Sequence, residues 1–274
     1  MKKGMLKKFL CIAAVGIMSI GMFGCGKQEN NKLEQIKENG KLVVGLSADY
    51  APYEFHILDE QGNDVIVGFD VDIAEEIAKE IGVELEIQDM DFGNIVAGIS
   101  TGKIDLGISG LTPDEERKKS IDFSDIYYVA EHGYIVRAED KDKYTSLESL
   151  KGQKVGAQMG AIQAEIAETN IPEADIQLLA NVNDLVLSLK SGKIEALVVE
   201  LPVAEMIVKN NPELAVGEET VTDAEGGSAV GIQKGQEELL EVVNNVIKKI
   251  QDEGLLDQFI IDANSLAEKQ VEKE

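Results

Sequence analysis

Hydrophobic and polar positions recur along the chain in a repeating order of short strands and helices. Residues 41–45 form a β-branched run, apolar positions then recur at helical spacing between 73 and 81, and residues 83–87 alternate between apolar and polar. The same order of strands and helices continues to residue 190. Alternation of this kind builds a mostly parallel sheet covered by helices, so the pattern predicts the α/β fold class.

One short motif occurs at Gly102 and again at Gly192, 90 positions later. Each copy reads Gly-Lys-Ile followed by an acid, comes after a helical pattern and leads into an apolar run. Glycine is favoured at the position just after a helix C-terminus, and the apolar run is typical of a sheet strand. The repeat is either a common way to end a helix or the mark of two similar α/β lobes. With two lobes, the residues just after Ile108 and Val199 lie at strand ends, where ligands bind in such sheets.

The N-terminal residues have the layout of an export signal. Four lysines precede an apolar stretch over residues 9–23, which is shorter than the roughly 20 residues that a membrane-spanning helix needs. Gly24 and Cys25 follow the stretch, and the whole resembles a bacterial lipoprotein signal, in which the cysteine is acylated and becomes the new N-terminus. A secretory signal that happens to contain a cysteine is the alternative. We expect a signal peptide at 1–24 and an acylated Cys25 on a flexible tether at 25–40.

Composition and charge exclude several classes of function. The chain has 274 residues with 26 Lys+Arg against 51 Asp+Glu, and a surface of formal charge −25 repels nucleic-acid phosphates. Both cysteines, Cys11 and Cys25, lie in the first 25 residues, so the chain that folds after them has no disulfide, thiolate metal site or cysteine nucleophile. His56 and His132 are too few for zinc chemistry and are assigned no role. We expect no cofactor, no metal and no nucleic-acid partner.

The segment after the first repeated strand is a candidate anion site. Thr112 and Glu115 fit a capping box, and Pro113 stands where a helix tolerates proline best, which predicts a helix start with free N–H groups. Free N–H groups at a helix start bind anions. Arg117, about one turn into this helix, can present a bidentate fork to a carboxylate. The alternative is a plain helix start with Arg117 paired to a surface acid.

Other candidates complete a site for a zwitterion. A glycine turn ahead of Ala161 precedes another predicted helix and offers more backbone N–H groups. Glu200 follows the second repeated strand and suits an ammonium group, although an exposed glutamate is the alternative. An α-amino acid carries both charges on one carbon, so these pieces can hold it at both. Tyr50 and Phe92 each follow a predicted strand, where a ring can pack on a ligand side chain.

Several motifs occur in a fixed order between Lys41 and Phe259. They are Ala51-Pro52-Tyr53-Glu54-Phe55, Gly68-Phe69-Asp70-Val71-Asp72-Ile73, the first Gly-Lys-Ile-Asp copy, Ser109 to Arg117, Asp122-Phe123-Ser124 and Leu150-Lys151-Gly152. Together they resemble the polar amino-acid-binding solute-binding proteins (family 3) of bacterial ABC transporters. The resemblance implies a type II periplasmic-binding-protein fold, with the ligand between two lobes joined by a two-crossover hinge. Lobe 1 would comprise residues 41–130 and 222–274, and lobe 2 residues 131–221.

The resemblance also implies the ligand contacts, carried over position by position. They are Tyr50 and Phe92 for aromatic packing, Ser109, Gly110, Thr112 and Glu200 for the amine, Arg117 with the N–H groups near Ala161 and Ile162 for the carboxylate, and Gln163 at the rim. Two positions depart from the family. A hydroxyl donor is missing at Ala161 or Ile162, where the family often has Thr. Ser47 stands where many members with basic or amide ligands carry Asp, which disfavours a cationic ligand.

The function that the resemblance implies is capture without covalent chemistry. We expect an extracytoplasmic lipoprotein, anchored to the cell membrane and monomeric, that binds a polar or neutral amino acid and delivers it to an ABC permease. An amino-acid-sensing lipoprotein without transport is one alternative. The other is a dehydratase-like enzyme on the same fold, in which Glu200 would be the candidate acid.

Overall fold

The computed structural model describes residues 31–222 and 226–271. The predicted signal peptide and Cys25 lie outside the described residues. None of the helices in the described ranges has the length and apolar character needed to cross a bilayer.

Strands and short helices alternate through these ranges. The strands are β1 (Lys41–Leu46), β2 (Asp49–Tyr50), β3 (Glu54–Leu58), β4 (Asp64–Val67), β5 (Glu84–Asp89), β6 (Leu106–Gly107), β7 (Ile121–Tyr128), β8 (His132–Arg137), β9 (Lys154–Gln158), β10 (Asp175–Leu179), β11 (Ala196–Glu200), β12 (Leu214–Val216) and β13 (Ser228–Gln233). The α-helices are α1 (Lys32–Asn39), α2 (Phe69–Ile81), α3 (Ile95–Ser100), α4 (Arg117–Ser120), α5 (Ile162–Asn170), α6 (Val182–Lys190), α7 (Leu201–Asn210), α8 (Glu237–Asp252) and α9 (Leu255–Val271). Single 3-10 turns span Phe92–Asn94, Ala138–Asp140 and Glu148–Leu150.

Two five-stranded sheets share one mixed topology. Sheet 1 has the order β5-β1-β6-β13-β7, and sheet 2 has the order β10-β9-β11-β8-β12. In each sheet the first three strands are parallel and the last two are joined antiparallel. A three-stranded antiparallel sheet, β2-β3-β4, accompanies them. This arrangement confirms the predicted α/β class, and we name the parts built on sheets 1 and 2 the first and second lobes.

The chain passes between the two sheets twice. It leaves sheet 1 after β7 and returns to it at β13, after β12 of sheet 2. We propose the lobe boundaries that the sequence suggested, 41–130 with 222–274 for the first lobe and 131–221 for the second, with α1 added to the first.

The two Gly-Lys-Ile copies occupy equivalent places in the two sheets. Gly102 and Gly192 follow α3 and α6 with left-handed φ angles of 74° and 71°, where the missing Cβ removes the steric penalty. The next residue, Lys103 or Lys193, then donates its N–H to a carbonyl of the preceding helix at 2.9 Å in both lobes. Each copy leads into the third strand of its sheet, β6 or β11.

The predicted flexible tether over 25–40 is wrong for residues 32–39, which form α1. The Asn31 side chain accepts a hydrogen bond from the N–H of Glu34 and caps the helix. Leu33 and Ile36 are buried in the core. The Lys32 ammonium lies 2.6 Å from the Asp105 carboxylate. Buried apolar area and this ion pair hold the segment against the first lobe, so it is not a flexible tether.

The helix predicted to start at Pro113 is also wrong, because α4 begins at Arg117 and has only four residues. Thr112 is buried, and its carbonyl accepts the N–H of Asp114 in a turn. The Asp114 carboxylate then accepts the N–H of Arg117 at 2.8 Å. Asp114 thus occupies the capping role that the spacing assigned to Thr112, and Thr112 turns inward.

The largest hydrophobic cluster runs through both lobes. It includes Leu42 and Leu106 from sheet 1, Leu197 from sheet 2, and Tyr50 and Tyr53 between them. Apolar contact that continues from one lobe to the other means that the cleft is closed in this structure.

Candidate ligand-binding site

A small, partly open cavity lies where the two lobes meet. Nine of the ten contacts predicted from the sequence line it: Tyr50, Phe92, Ser109, Gly110, Thr112, Arg117, Ala161, Ile162 and Gln163. The tenth, Glu200, does not. Three further residues, Ser47, Glu54 and Gln158, also line the cavity. A cleft between lobes that is lined by a few convergent polar groups has the form of a small-molecule site.

Arg117 supplies the cation of the cavity wall. Its side chain is buried, and it donates to the carbonyls of Thr112 at 2.7 Å and Gly160 at 2.9 Å. Its Nε lies 3.1 Å from the Asp114 carboxylate in an ion pair. A guanidinium has five N–H donors, so two remain for a ligand. The guanidinium carbon also lies 5.4 Å from the centre of the Phe92 ring, a cation–π contact. Burial lowers the pKa of Arg117 while Asp114 opposes the shift, and the group stays charged.

Glu54 supplies a carboxyl group that the sequence reasoning missed. It stands at the start of β3, is fully buried, and accepts a hydrogen bond from the Ser109 hydroxyl. Burial and the neighbouring charge of Asp70 raise the pKa of Glu54 well above its usual range. The available signal was an acid between two aromatic residues, Tyr53 and Phe55, in a short strand.

Tyr50 belongs to β2 rather than to a loop, and its hydroxyl connects the lobes. It accepts the backbone N–H of Glu200 at 3.0 Å and the side-chain amide of Gln163 at 3.4 Å. Burial, together with the charge of Glu200, raises the pKa of Tyr50 and of Tyr53 well above the usual range. Both phenols therefore stay neutral.

The Glu200 carboxylate lies behind the cavity wall. It is buried and accepts the hydrogen bond of the Tyr53 hydroxyl. In this closed structure the Glu200 carboxylate contacts Tyr53 and not the cavity. The amine-binding role assigned to Glu200 from the sequence stays a prediction.

Asp49 forms a hydrogen-bonded link between the lobes. One of its oxygens accepts the N–H of Val182 at the start of α6, at 2.6 Å. The other accepts the Ser47 hydroxyl at 3.0 Å and lies 3.4 Å from the Gln158 amide. Burial raises the pKa of Asp49, and these hydrogen bonds oppose the shift. The carboxylate stabilises the closed arrangement, because Val182 and Gln158 belong to the second lobe.

We therefore expect Asp49→Asn to weaken ligand binding about tenfold, because a charge-assisted hydrogen bond to the second lobe becomes a neutral one. Isothermal titration calorimetry measures the change. Glu60→Gln, at an exposed position of the same lobe, is the matched control and should bind as the wild type does. Equal affinity of Asp49→Asn and Glu60→Gln would show that Asp49 does not favour closure.

The two histidines lie outside the cavity lining. His132 is buried in β8, with its Nδ1 3.3 Å from the Gln163 amide. His56 is exposed between the carboxylates of Asp64 and Asp89. In the part of the chain that the structure describes, no group of three or more His, Cys, Asp or Glu side chains is arranged to hold a metal ion.

Two α/β lobes closed on a polar cavity define a solute-binding protein of the type II periplasmic-binding-protein fold. The chain belongs to the bacterial extracellular solute-binding proteins, family 3, whose profile matches residues 42–261. The resemblance noted in the sequence is confirmed. The family is extracytoplasmic, and this protein is a binding protein rather than an enzyme.

Named relatives share most of their length with this chain. The arginine-binding extracellular protein ArtP of Bacillus subtilis (strain 168) is 38% identical over 259 residues, which cover 93% of this chain and 96% of ArtP. The L-cystine-binding protein TcyJ of Escherichia coli (strain K12) is 31% identical over 249 residues, 90% of each chain. The crystal structure of AbpA, an amino acid ABC transporter substrate-binding protein from Streptococcus pneumoniae Canada MDR_19A bound to L-arginine, has a TM-score of 0.82 and 40% identity, and covers 85% of this chain and 98% of AbpA.

Proposed function

We propose that this protein binds arginine, or an amino acid with a similar cationic side chain, outside the cytoplasm and delivers it to an ABC permease. The observation that carries the proposal is the buried carboxyl of Glu54 in the wall of the cavity that also contains Arg117. Arg117 suits the ligand carboxylate, and Glu54 suits a cation on the same ligand.

The charge around the cavity favours a ligand with a net positive charge. Four buried acids lie in or behind its wall, Asp49, Glu54, Asp70 and Glu200, whereas Arg117 is the cation that lines it. A neutral amino acid adds one positive and one negative charge and so offsets none of this acidity. A ligand with a second cation offsets part of it, which matters because unpaired charges in a buried site are costly.

The wall favours guanidinium over ammonium. Tyr50 and Phe92 both line the cavity, and a planar guanidinium stacks on aromatic rings and pairs with a carboxylate through two parallel N–H groups. ArtP is named as an arginine-binding protein and AbpA was crystallised with L-arginine, which both support arginine as the ligand. TcyJ, in contrast, is named for cystine. Glu54 changes the expectation of a polar or neutral ligand, because it supplies the acid that is missing at Ser47.

The route to the membrane belongs to the same proposal. Acylation of Cys25 would attach two acyl chains, enough for stable anchoring, and the following residues up to α1 would connect the anchor to the first lobe. We propose that the protein acts as a monomer in this form. A sensing lipoprotein would bind the same ligand, and only loss of arginine uptake on deletion of the gene separates transport from sensing.

A ligand screen tests the proposal. Arginine at about 100 times its Kd should stabilise the purified protein against thermal unfolding by about 2.7 kcal/mol. Citrulline, whose side chain has the same length as that of arginine but no charge, is the matched control and should give a smaller thermal shift. Lysine and ornithine should give shifts between the two. The screen should also include histidine, cystine and glutamine. A larger shift with citrulline or another neutral amino acid would contradict the cationic ligand and restore the polar or neutral one.

A further inference from the structure

Two buried carboxyl oxygens, one in the cavity wall and one behind it, have no hydrogen-bond partner among the described residues. They are Oε2 of Glu54 and Oδ1 of Asp70. The other oxygen of each group is occupied, because Ser109 donates its hydroxyl to Glu54 Oε1, and the N–H of Gly110 and the hydroxyl of Tyr127 donate to Asp70 Oδ2 at 2.8 and 2.9 Å. Glu54 and Asp70 lie within hydrogen-bonding reach of each other. One proton between the two unpartnered oxygens would satisfy both.

We propose that Glu54 and Asp70 share one proton while the cavity is empty, and that the cationic side chain of the ligand expels it. The inference rests on the proposed function, because a neutral ligand has no cation to replace the proton. The exchange is balanced: the O–H bond of the Glu54 carboxyl breaks, the proton passes to solvent, and the carboxylate pairs with the ligand cation. Asp70 lines no part of the cavity and acts through Glu54, as a positioning residue.

The surroundings of the pair explain why it holds a proton. Both groups are fully buried, and no lysine, arginine or histidine in the described ranges forms an ion pair with either. Two adjacent ionised carboxylates would repel each other in a medium of low dielectric. Burial raises the pKa of both groups, and the hydrogen bonds from Gly110 and Tyr127 favour the charged form of Asp70. Glu54 therefore carries the proton and donates it to Asp70.

The other acids around the pair add to the repulsion that favours a bound proton. On β2, Asp49 adds further repulsion to an ionised Glu54, and Tyr50 is neutral. Tyr127 on β7 is also neutral and donates to Asp70. Glu200, at the end of β11, lies beyond Tyr53 and adds negative charge. Arg117 on α4 lines the same cavity, but its ion pair is with Asp114.

The coupling has a definite sign. Where Glu54 is protonated in the empty protein and ionised in the complex, one proton leaves for each cation bound. The Kd for arginine then falls by up to about tenfold for each unit that the pH rises. The Kd for citrulline should not depend on pH through Glu54 and Asp70, because citrulline has no side-chain cation to expel their proton. Selectivity for arginine over citrulline therefore increases with pH.

Calorimetry of arginine binding measures the released proton directly. Titrations at one pH in two buffers of different ionisation enthalpy give the number of protons from the difference in heat, and the series should run from about pH 6 to about pH 8. We expect up to about one proton released per arginine and none per citrulline. In Asp70→Asn the released proton should disappear, because the asparagine amide donates to Glu54 and lets it ionise before the ligand arrives. Asp72→Asn, on the same helix, is the matched control: burial and Glu75 raise the pKa of Asp72 to about 6, yet it lies outside the cavity lining.

Infrared spectroscopy supplies a second readout if Asp70→Asn does not fold. The carbonyl band of a protonated carboxyl should be present in the empty wild-type protein, decrease when arginine is added, and be weaker in Glu54→Gln. Arginine binding without proton release at any pH in the series would overturn the shared proton and leave the proposed function standing. Failure to bind arginine at all would overturn the proposed function, and this inference with it.

Discussion

Replacing Arg117 with methionine should weaken the binding of arginine and citrulline alike by about 30-fold or more. The guanidinium is buried, keeps two N–H donors for a ligand, and is the cation in the cavity wall. Loss of a desolvated charge pair costs about 2 to 5 kcal/mol, and each 1.4 kcal/mol is about tenfold in Kd. Titration calorimetry with both ligands measures the effect. Arg117→Lys should recover only part of the affinity, because lysine keeps the charge and loses the planar fork.

Arg137 provides the matched control for this substitution. It is also largely buried and bonded to Asp140, Glu195 and two carbonyls, but it lies in the second lobe outside the cavity lining. Arg137→Met should lower the thermal stability with little effect on Kd. Similar loss of affinity in Arg117→Met and Arg137→Met would mean that Arg117 supports the fold and does not hold the ligand carboxylate.

Replacing Glu54 with glutamine should weaken arginine binding by about 100-fold or more and leave citrulline binding within a few-fold. Breaking a buried pair by removing one partner costs about 3 to 5 kcal/mol, because the other charge stays buried without compensation. Glutamine has the same shape, still accepts the Ser109 hydroxyl, and can donate its amide to Asp70, so the local fold should persist. The ratio of the two Kd values, measured by calorimetry at neutral pH, is the decisive quantity.

Glu200→Gln is the informative comparison for Glu54→Gln. The Glu200 carboxylate accepts the Tyr53 hydroxyl and lies outside the cavity lining, so its loss should not distinguish arginine from citrulline. An equal loss with both ligands in Glu200→Gln would instead support the amine-binding role that the sequence suggested. If Glu54→Gln also affected both ligands equally, Glu54 would not be the partner of the ligand's side-chain cation.

The order of strands and helices could be predicted from the sequence because it depends on local periodicity. Element type follows from the β-branched run at 41–45 and the helical spacing through 73–81, and the two Gly-Lys-Ile copies mark where helices end. Nine cavity residues were also predicted, some because strand ends in an α/β sheet meet at one edge and the others because the resemblance to family 3 implied them. The sequence was misleading where two local signals compete, as at Thr112 and Asp114, where the inward-facing threonine cannot also cap a helix.

The sequence by itself determined the fold class and the acidic surface, because each follows from residue type and spacing along the chain. The two lobes and most of the cavity wall could be predicted through the resemblance of its motifs to family 3. Only the tertiary structure brought together residues far apart in the chain. It brought Glu54 beside Asp70, directed Glu200 to Tyr53, and set Asp49 against the start of α6. Whether a carboxyl is a surface charge, a ligand contact or half of a proton-sharing pair depends on its burial and its neighbours, and those are properties of the folded chain.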